Sequence, residues 1–249
     1  MTASIVSWLS LFPVTPLAIR PTSRDHLASF HHPSTPYGLG LALATLYTNA
    51  ALSFPTLVSP AEPTSVSAWL FGLPVPARPT FLFAPTAQLQ GAVYKALLKQ
   101  MLDVGGFSLS KARDGKIALL RDGILSKTTF WDTIMFKHVR ADANLDELRA
   151  IVFEGPAPAG QLETIRTILG VPVVTTLGHP FLLAPVSGQG MYDLQRLPPP
   201  GVKQADHTGR DNASVGPPLP GVEIKLVGAE NDMASGRVKG EASCGATAT

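Results

Sequence analysis

Short apolar runs punctuated by Gly and Pro set the rhythm of this chain. Thr80-Phe-Leu-Phe-Ala84, Ala150-Ile-Val-Phe153 and Val171-Pro-Val-Val174 each have the length and β-branched or aromatic content of a buried strand. Between the last two, Gly160–Leu169 places Leu162, Ile165, Ile168 and Leu169 at helical spacing, and Gly170 supplies a stop. Strand, turn, helix and strand in that order predict an α/β fold: a mostly parallel sheet with crossover helices and a β-rich C-terminal part. Ligands in such sheets sit at the carboxyl ends of the strands, so Glu154–Pro158 and Thr175–His179 fall at the expected ligand edge.

The other stretches read as follows. Ile5–Phe12 is an apolar strand, and Pro13 to Pro16 a turn. Arg24–Pro36 is a polar, solvated loop. Its His31 and His32 are adjacent, so in an extended chain they face opposite sides, and no carboxylate stands at helical spacing from them to complete a metal site. Ser34-Thr35-Pro36 caps a helix over Tyr37–Leu52 that is apolar all round and therefore expected to be buried. Phe54–Val58 is a strand, and Pro60–Pro79 a Pro-rich connection. Pro85-Thr86 starts a helix through Asp103, with Leu89, Val93, Leu97 and Leu98 on one face, and Gly105-Gly106 ends it. Lys111–Gly123 is a charged segment around Ile117–Leu120. Lys127–Arg140 is an amphipathic helix with Phe130, Ile134 and either His138 or Val139 inward, extended by Trp131 and Met135. Ala184–Asn212 is irregular. Val222–Val227 alternates as a half-exposed strand, Gly228–Gly236 is a hairpin loop, Arg237–Glu241 the returning strand, and residues 242–249 a frayed tail.

Composition narrows the class. The 249 residues are 45% hydrophobic and only 15% charged, which supplies a sizeable core but little polar surface, and 23 Pro with 22 Gly imply many turns. A net charge of +2 without a Lys/Arg stripe points away from a nucleic-acid partner. One cysteine, Cys244, excludes a disulfide framework and a cysteine-based zinc site. Met1–Ile19 has no charge before Arg20 and is broken by Pro13 and Pro16, so it fits neither a signal peptide nor a membrane span.

Four passages carry a family likeness. Phe130-Trp-Asp132 with Phe136-Lys-His-Val-Arg140 is similar to a WD…F-x-K-V-R passage. Gly155-Pro-Ala-Pro158 resembles a G-G-A-P turn. Gly216-Pro-Pro-Leu-Pro-Gly221-Val-Glu-Ile-Lys225 resembles a structural turn and strand, and Gly240-Glu241 the start of a G-E-I strand. These belong to the adenylate-forming (AMP-binding) superfamily, in particular long-chain acyl-CoA synthetases. The chain resembles part of the large adenylation domain over residues 1–241, most closely over 127–241.

The resemblance implies ATP-dependent ligation of a long-chain fatty acid to CoA through an acyl-adenylate, with ATP/AMP and Mg²⁺ as cofactors. It implies nucleotide and fatty-acyl ligands, an intracellular setting (cytoplasm, or an endoplasmic-reticulum or peroxisomal membrane surface), and a cofactor-binding set of Gly155, Pro156, Ala157, Pro158, Leu177 and Gly178. The motif that holds phosphate and Mg²⁺ in the family is altered here. Across Leu177-Gly-His-Pro-Phe181, Leu177 stands for the aromatic residue, Pro180 for the hydroxyl residue and Phe181 for the carboxylate. Phe cannot ligate Mg²⁺. His179 sits at the family's variable position and is read as non-catalytic. Gly38 and Gly40 have no following Lys to make a phosphate loop, and the family's ribose-binding Asp and C-terminal lid have no counterpart before Thr249. The expectation is a truncated, degenerate member with little or no ligase activity, no assigned catalytic residue and no metal site. The alternatives are a non-catalytic nucleotide- or acyl-binding or scaffold module, and a fragment that folds poorly alone.

Overall fold

The computed structural model describes residues 2–13, 19–54, 78–88, 94, 97, 108–193, 213–227 and 241–246. Its centre is a six-stranded sheet in the order β2-β1-β3-β4-β5-β6. The strands are β1 (His26–Ser29), β2 (Ala51–Ser53), β3 (Phe81–Pro85), β4 (Ala150–Glu154), β5 (Val173–Leu177) and β6 (Ser187–Gly188). The first five run parallel, and β6 lies antiparallel to β5 at the edge.

A parallel sheet covered on both faces needs strands that are apolar on both sides, and β3 and β4 are. Phe81, Phe83, Ala150 and Val152 point to a core shared with Trp8, Phe12, Tyr37 and Leu41. Leu82, Ala84, Ile151 and Phe153 point to the opposite core, with Phe136, Val139, Leu162 and Ile165. Each fully buried Phe or Leu stabilises the fold by roughly 1.5–3 kcal/mol. The result is three layers. Helices α1 (Thr2–Ser10) and α2 (Pro36–Thr48) cover one face. The other is covered by α4 (Ser108–Arg121), a π-helical turn (Asp132–Phe136) running into α5 (Lys137–Asp142), and α6 (Ala159–Leu169). A single turn, α3 (Thr86–Gln88), follows β3.

Strand order reverses at β1. From β1 the chain crosses through α2 to β2 on one side, whereas β3, β4 and β5 add successively on the other. In an open α/β sheet this switch point leaves a crevice at the strands' carboxyl ends. The helix starting there is well defined: Thr35 is extended (φ −83°, ψ 146°), its hydroxyl accepts from Gly38 N at 3.1 Å, and Pro36 fills the first turn. Helix α1 is seated by distant residues: the Trp8 indole donates to the Leu183 carbonyl at 2.9 Å, and the Ser7 hydroxyl to the Pro220 carbonyl at 2.5 Å. Strands β7 (Val222–Val227) and β8 (Glu241–Ala246) form a separate antiparallel ribbon.

The structure corrects several expectations. Ile5–Phe12 belongs largely to helix α1, because one turn must bring Ser7, Trp8 and Leu9 together onto the sheet. The polar stretch after Arg24 contains β1, and His31 is buried rather than solvated. Helix α2 is not buried all round: Leu46 is 74% and Tyr47 68% exposed. Strand β2 lies just before the strand expected at Phe54–Val58; Phe54 is outside β2, and residues 55–58 of that expectation are not among those described. Lys111–Gly123 is mostly helix α4. The helix over Lys127–Arg140 buries Met135 and Val139 as expected, but turns Phe130 and Ile134 outward and buries Asp132, Phe136 and Arg140 in their place. Asp132 takes the interior because Lys116 and Arg140 meet it there. The strand expected over Val171–Val174 starts at Val173 and runs to Leu177. The last strand occupies Glu241–Ala246, in place of the tail expected from residue 242. The Pro60–Pro79 connection up to residue 77, most of the helix expected after Gln88, Gly105-Gly106 and the Gly228–Gly236 loop lie outside the described residues.

Candidate functional site

At the switch point the carboxyl ends of four strands meet around an open cleft of about 500 Å³. β1 delivers Phe30 and His31, β3 ends in Pro85, β4 in Glu154, and β5 leads into Gly178-His179-Pro180. Thr35, Pro36 and Tyr37 bring the N-terminus of α2 to the same space, where its partial positive charge faces the cleft.

His31 is the most constrained of these groups. It is 5% exposed, its Nδ1 lies 3.2 Å from Glu154 Oε2, and its ring packs at 4.4 Å on Tyr37. Its Nε2 is buried without a hydrogen-bond partner. A buried polar atom left unpaired costs free energy, so this nitrogen is a place where a bound hydroxyl, amide or water would be stabilised. Tyr37 shares a hydrogen bond with Thr176 Oγ1 at 2.8 Å, and its burial pushes the phenol well above the ordinary tyrosine range, so it stays neutral.

Glu154 ends β4 with its side chain 28% exposed and its backbone carbonyl accepting from the Thr86 hydroxyl at 2.7 Å. Gly178 is the residue that makes room for it: a Cβ there would stand 1.9 Å from Glu154 Oε1. Glu154 thus joins the ends of β1, β4 and β5. Among the described residues lining the cleft, the ionisable side chains are three imidazoles, one carboxylate and the Tyr37 phenol, with no Lys or Arg. Such a set can bind hydrogen-bonding groups and exchange a proton. It lacks the fixed cations that a triphosphate needs, and one carboxylate already engaged by His31 is not the oxygen-rich donor set of Mg²⁺.

Of the six cofactor-binding residues expected from the sequence, Gly178 lines the cleft. The Gly155–Pro158 turn follows directly from Glu154, but much of its backbone is used internally. Gly155 N donates to Thr176 O, and Ala157, fully buried, accepts from Ala213 N. Gly155 takes φ +100°, a conformation glycine tolerates. Pro156 is exposed, and Leu177, half-buried, accepts from Val186 N. Phe181 is 88% exposed, and its N–H donates to His179 Nδ1 at 3.3 Å. Sequence reasoning missed His31, Tyr37 and Glu154 as a unit. The available signal was the polar run ending in a capped helix at the expected ligand edge.

No protein-family model matches the chain, and no curated protein does. Solved structures similar to it include the o-succinylbenzoate-CoA synthetase MenE of Bacillus subtilis in complex with ATP and magnesium, at 17% identity, TM-score 0.49, covering 98% of this chain and 36% of that one. A benzoate-CoA ligase of Burkholderia xenovorans LB400 matches at 18% identity and TM-score 0.47, over 89% and 32%. The anthranilate-CoA ligase AuaEII with anthranoyl-AMP matches at 18% identity and TM-score 0.45, over 91% and 32%. The chain spans about a third of the length of these ligases.

Proposed function

We propose that this chain is a degenerate portion of an AMP-binding adenylation domain, whose cleft holds a nucleotide or acyl-adenylate and has little or no ligase activity. The observation that carries the reading is the meeting, in one cleft at the switch point of a parallel sheet, of Glu154, which leads into the Gly155–Pro158 turn, with Gly178-His179-Pro180 of the altered motif. In this reading the base lies beside Gly155, Pro156, Ala157, Pro158, Leu177 and Gly178, and the acyl part faces Phe30 and Tyr37. ATP, AMP and Mg²⁺ are the cofactors the motifs imply. The cleft's described lining, with its single carboxylate, does not fit Mg²⁺.

The acyl class implied by the motifs is a long-chain fatty acid, and association with a membrane surface goes with it. No described helix is long and apolar enough to cross a membrane. The test is thermal melting with AMP, with Mg·ATP, and with two sulfamoyl-adenosine analogues, one fatty-acyl and one aryl. Ligand at 100 times its Kd adds about 2.7 kcal/mol of stability. The expected result is a shift with an acyl analogue that Mg·ATP does not reproduce. A cooperative melt unmoved by every ligand overturns the reading and leaves a scaffold role.

A further inference from the structure

A second, smaller cavity lies between α4, the connection 124–129 and α6. Its volume is about 10 Å³, room for roughly one water or small ion. Lys116 and Arg166 line it together with Ser126, Thr129 and Thr167, while Leu and Ile side chains close the rest.

Its lining holds two cations and no carboxylate. Lys116 and Arg140 both bind Asp132 Oδ1, at 2.8 and 2.6 Å, and the Thr129 hydroxyl donates to Oδ2 at 2.6 Å. Both oxygens of that carboxylate are therefore taken. Arg166, 4% exposed, donates Nε to the Val173 carbonyl at 3.0 Å and Nη2 to the same oxygen. It has no carboxylate partner among the described residues; Asp193 and Glu163 act on it only through space. Among the described residues, Lys116 and Arg140 thus share the Asp132 carboxylate, and Arg166 is held by a backbone carbonyl in place of a carboxylate. Burial draws the Arg166 guanidinium down to about 10 and lowers Lys116 despite Asp132. A buried guanidinium without a carboxylate in contact is costly, and a small anion beside it relieves the cost.

We propose that this cavity binds a small monovalent inorganic anion of chloride's class, held by Lys116 and Arg166. The site is separate from the nucleotide cleft and independent of what that cleft binds. The cavity is too small for phosphate or sulfate, so selectivity for halide over oxyanions is part of the inference.

The test is melting temperature in sodium chloride against sodium isethionate and sodium sulfate at equal ionic strength, together with ³⁵Cl NMR line broadening on the wild-type protein. Chloride is expected to raise the melting temperature along a saturating curve that the other salts do not follow, and to show protein-dependent broadening. Lys116→Met should raise the half-saturating chloride concentration by roughly tenfold or more. Arg166→Met should abolish saturation. If Arg166→Met does not fold, the Lys116→Met titration and the wild-type broadening decide. Equal melting in all three salts without ³⁵Cl broadening overturns the proposal, as does an unchanged chloride dependence in Lys116→Met.

Discussion

Replacing Asp132 with Asn would leave Lys116 and Arg140 buried without their shared anion. Breaking a buried pair from one side costs about 3–5 kcal/mol, which urea denaturation of Asp132→Asn should report. Burial by itself would raise the Asp132 carboxyl, but hydrogen bonds from Lys116, Thr129 and Arg140 outweigh it and leave the group below its ordinary 3.8. A carboxyl lowered by folding contributes stability above that ordinary value and loses it as pH falls through the lower folded one. The acid limb of the wild-type stability curve should therefore be steeper than that of Asp132→Asn. Lys127 gives the opposite limb. Burial, then the nearby Arg140, lowers its amine from 10.5 to about 8, although it donates to the Asp146 and Leu148 carbonyls. The unfolded chain holds that proton more tightly, so the stability term from Lys127 rises between pH 8 and 10.5. Melting of Lys127→Met against pH should lack this rise. In the cleft, Gly178→Ala forces the Glu154 carboxylate to move. Overpacking of this kind costs about 1–3 kcal/mol, and the variant should also change or lose the acyl-adenylate melting shift.

Helix α2 depends on its cap: Thr35→Ala removes the acceptor for Gly38 N, and a lost cap of this type costs about 0.5–2 kcal/mol in chemical denaturation. At the scale of elements, sequence legibility follows the source of each element's stability. β3, β4 and α6 are readable because burial on both faces or along one stripe writes itself into the apolar pattern. Gly170 is readable as a stop, and it takes φ +64° against the Ser126 carbonyl. Helix α1 is not readable. Ile5–Phe12 is a short, almost continuous apolar run, which fits a buried strand as well as a helix, and contacts to Leu183 and Pro220 decide its form. The inward face of the 130–142 helix is hidden in the sequence because it includes Asp132 and Arg140, whose partners Lys116 and Ile168 lie on other helices. The cleft is legible as an edge of the sheet, through the turns after β4 and β5. His31 is not, because its burial is set by Glu154, on a strand far along the chain.

Across the whole molecule, two cores sandwich one sheet, and what lies outside them carries exposed apolar side chains at Leu46 and Tyr47 of α2. Leu46→Lys should leave stability within the change of about 0.5 kcal/mol typical of surface positions, while reducing concentration-dependent association in light scattering. The seating of α1 has a further consequence for how the molecule is made. Trp8 and Phe12 fill the core on the α2 face, but the carbonyls that fix α1 belong to Leu183 and Pro220. β1, likewise, gains its two neighbours only once β2 and β3 exist. Helix α1 and β1 therefore find their places only after segments far along the sequence have formed, and assembly must wait on contacts distant in sequence, the kind that slow folding. Until those contacts form, Trp8 and Phe12 stay uncovered, so the slow step of folding leaves two large aromatic side chains open to wrong partners.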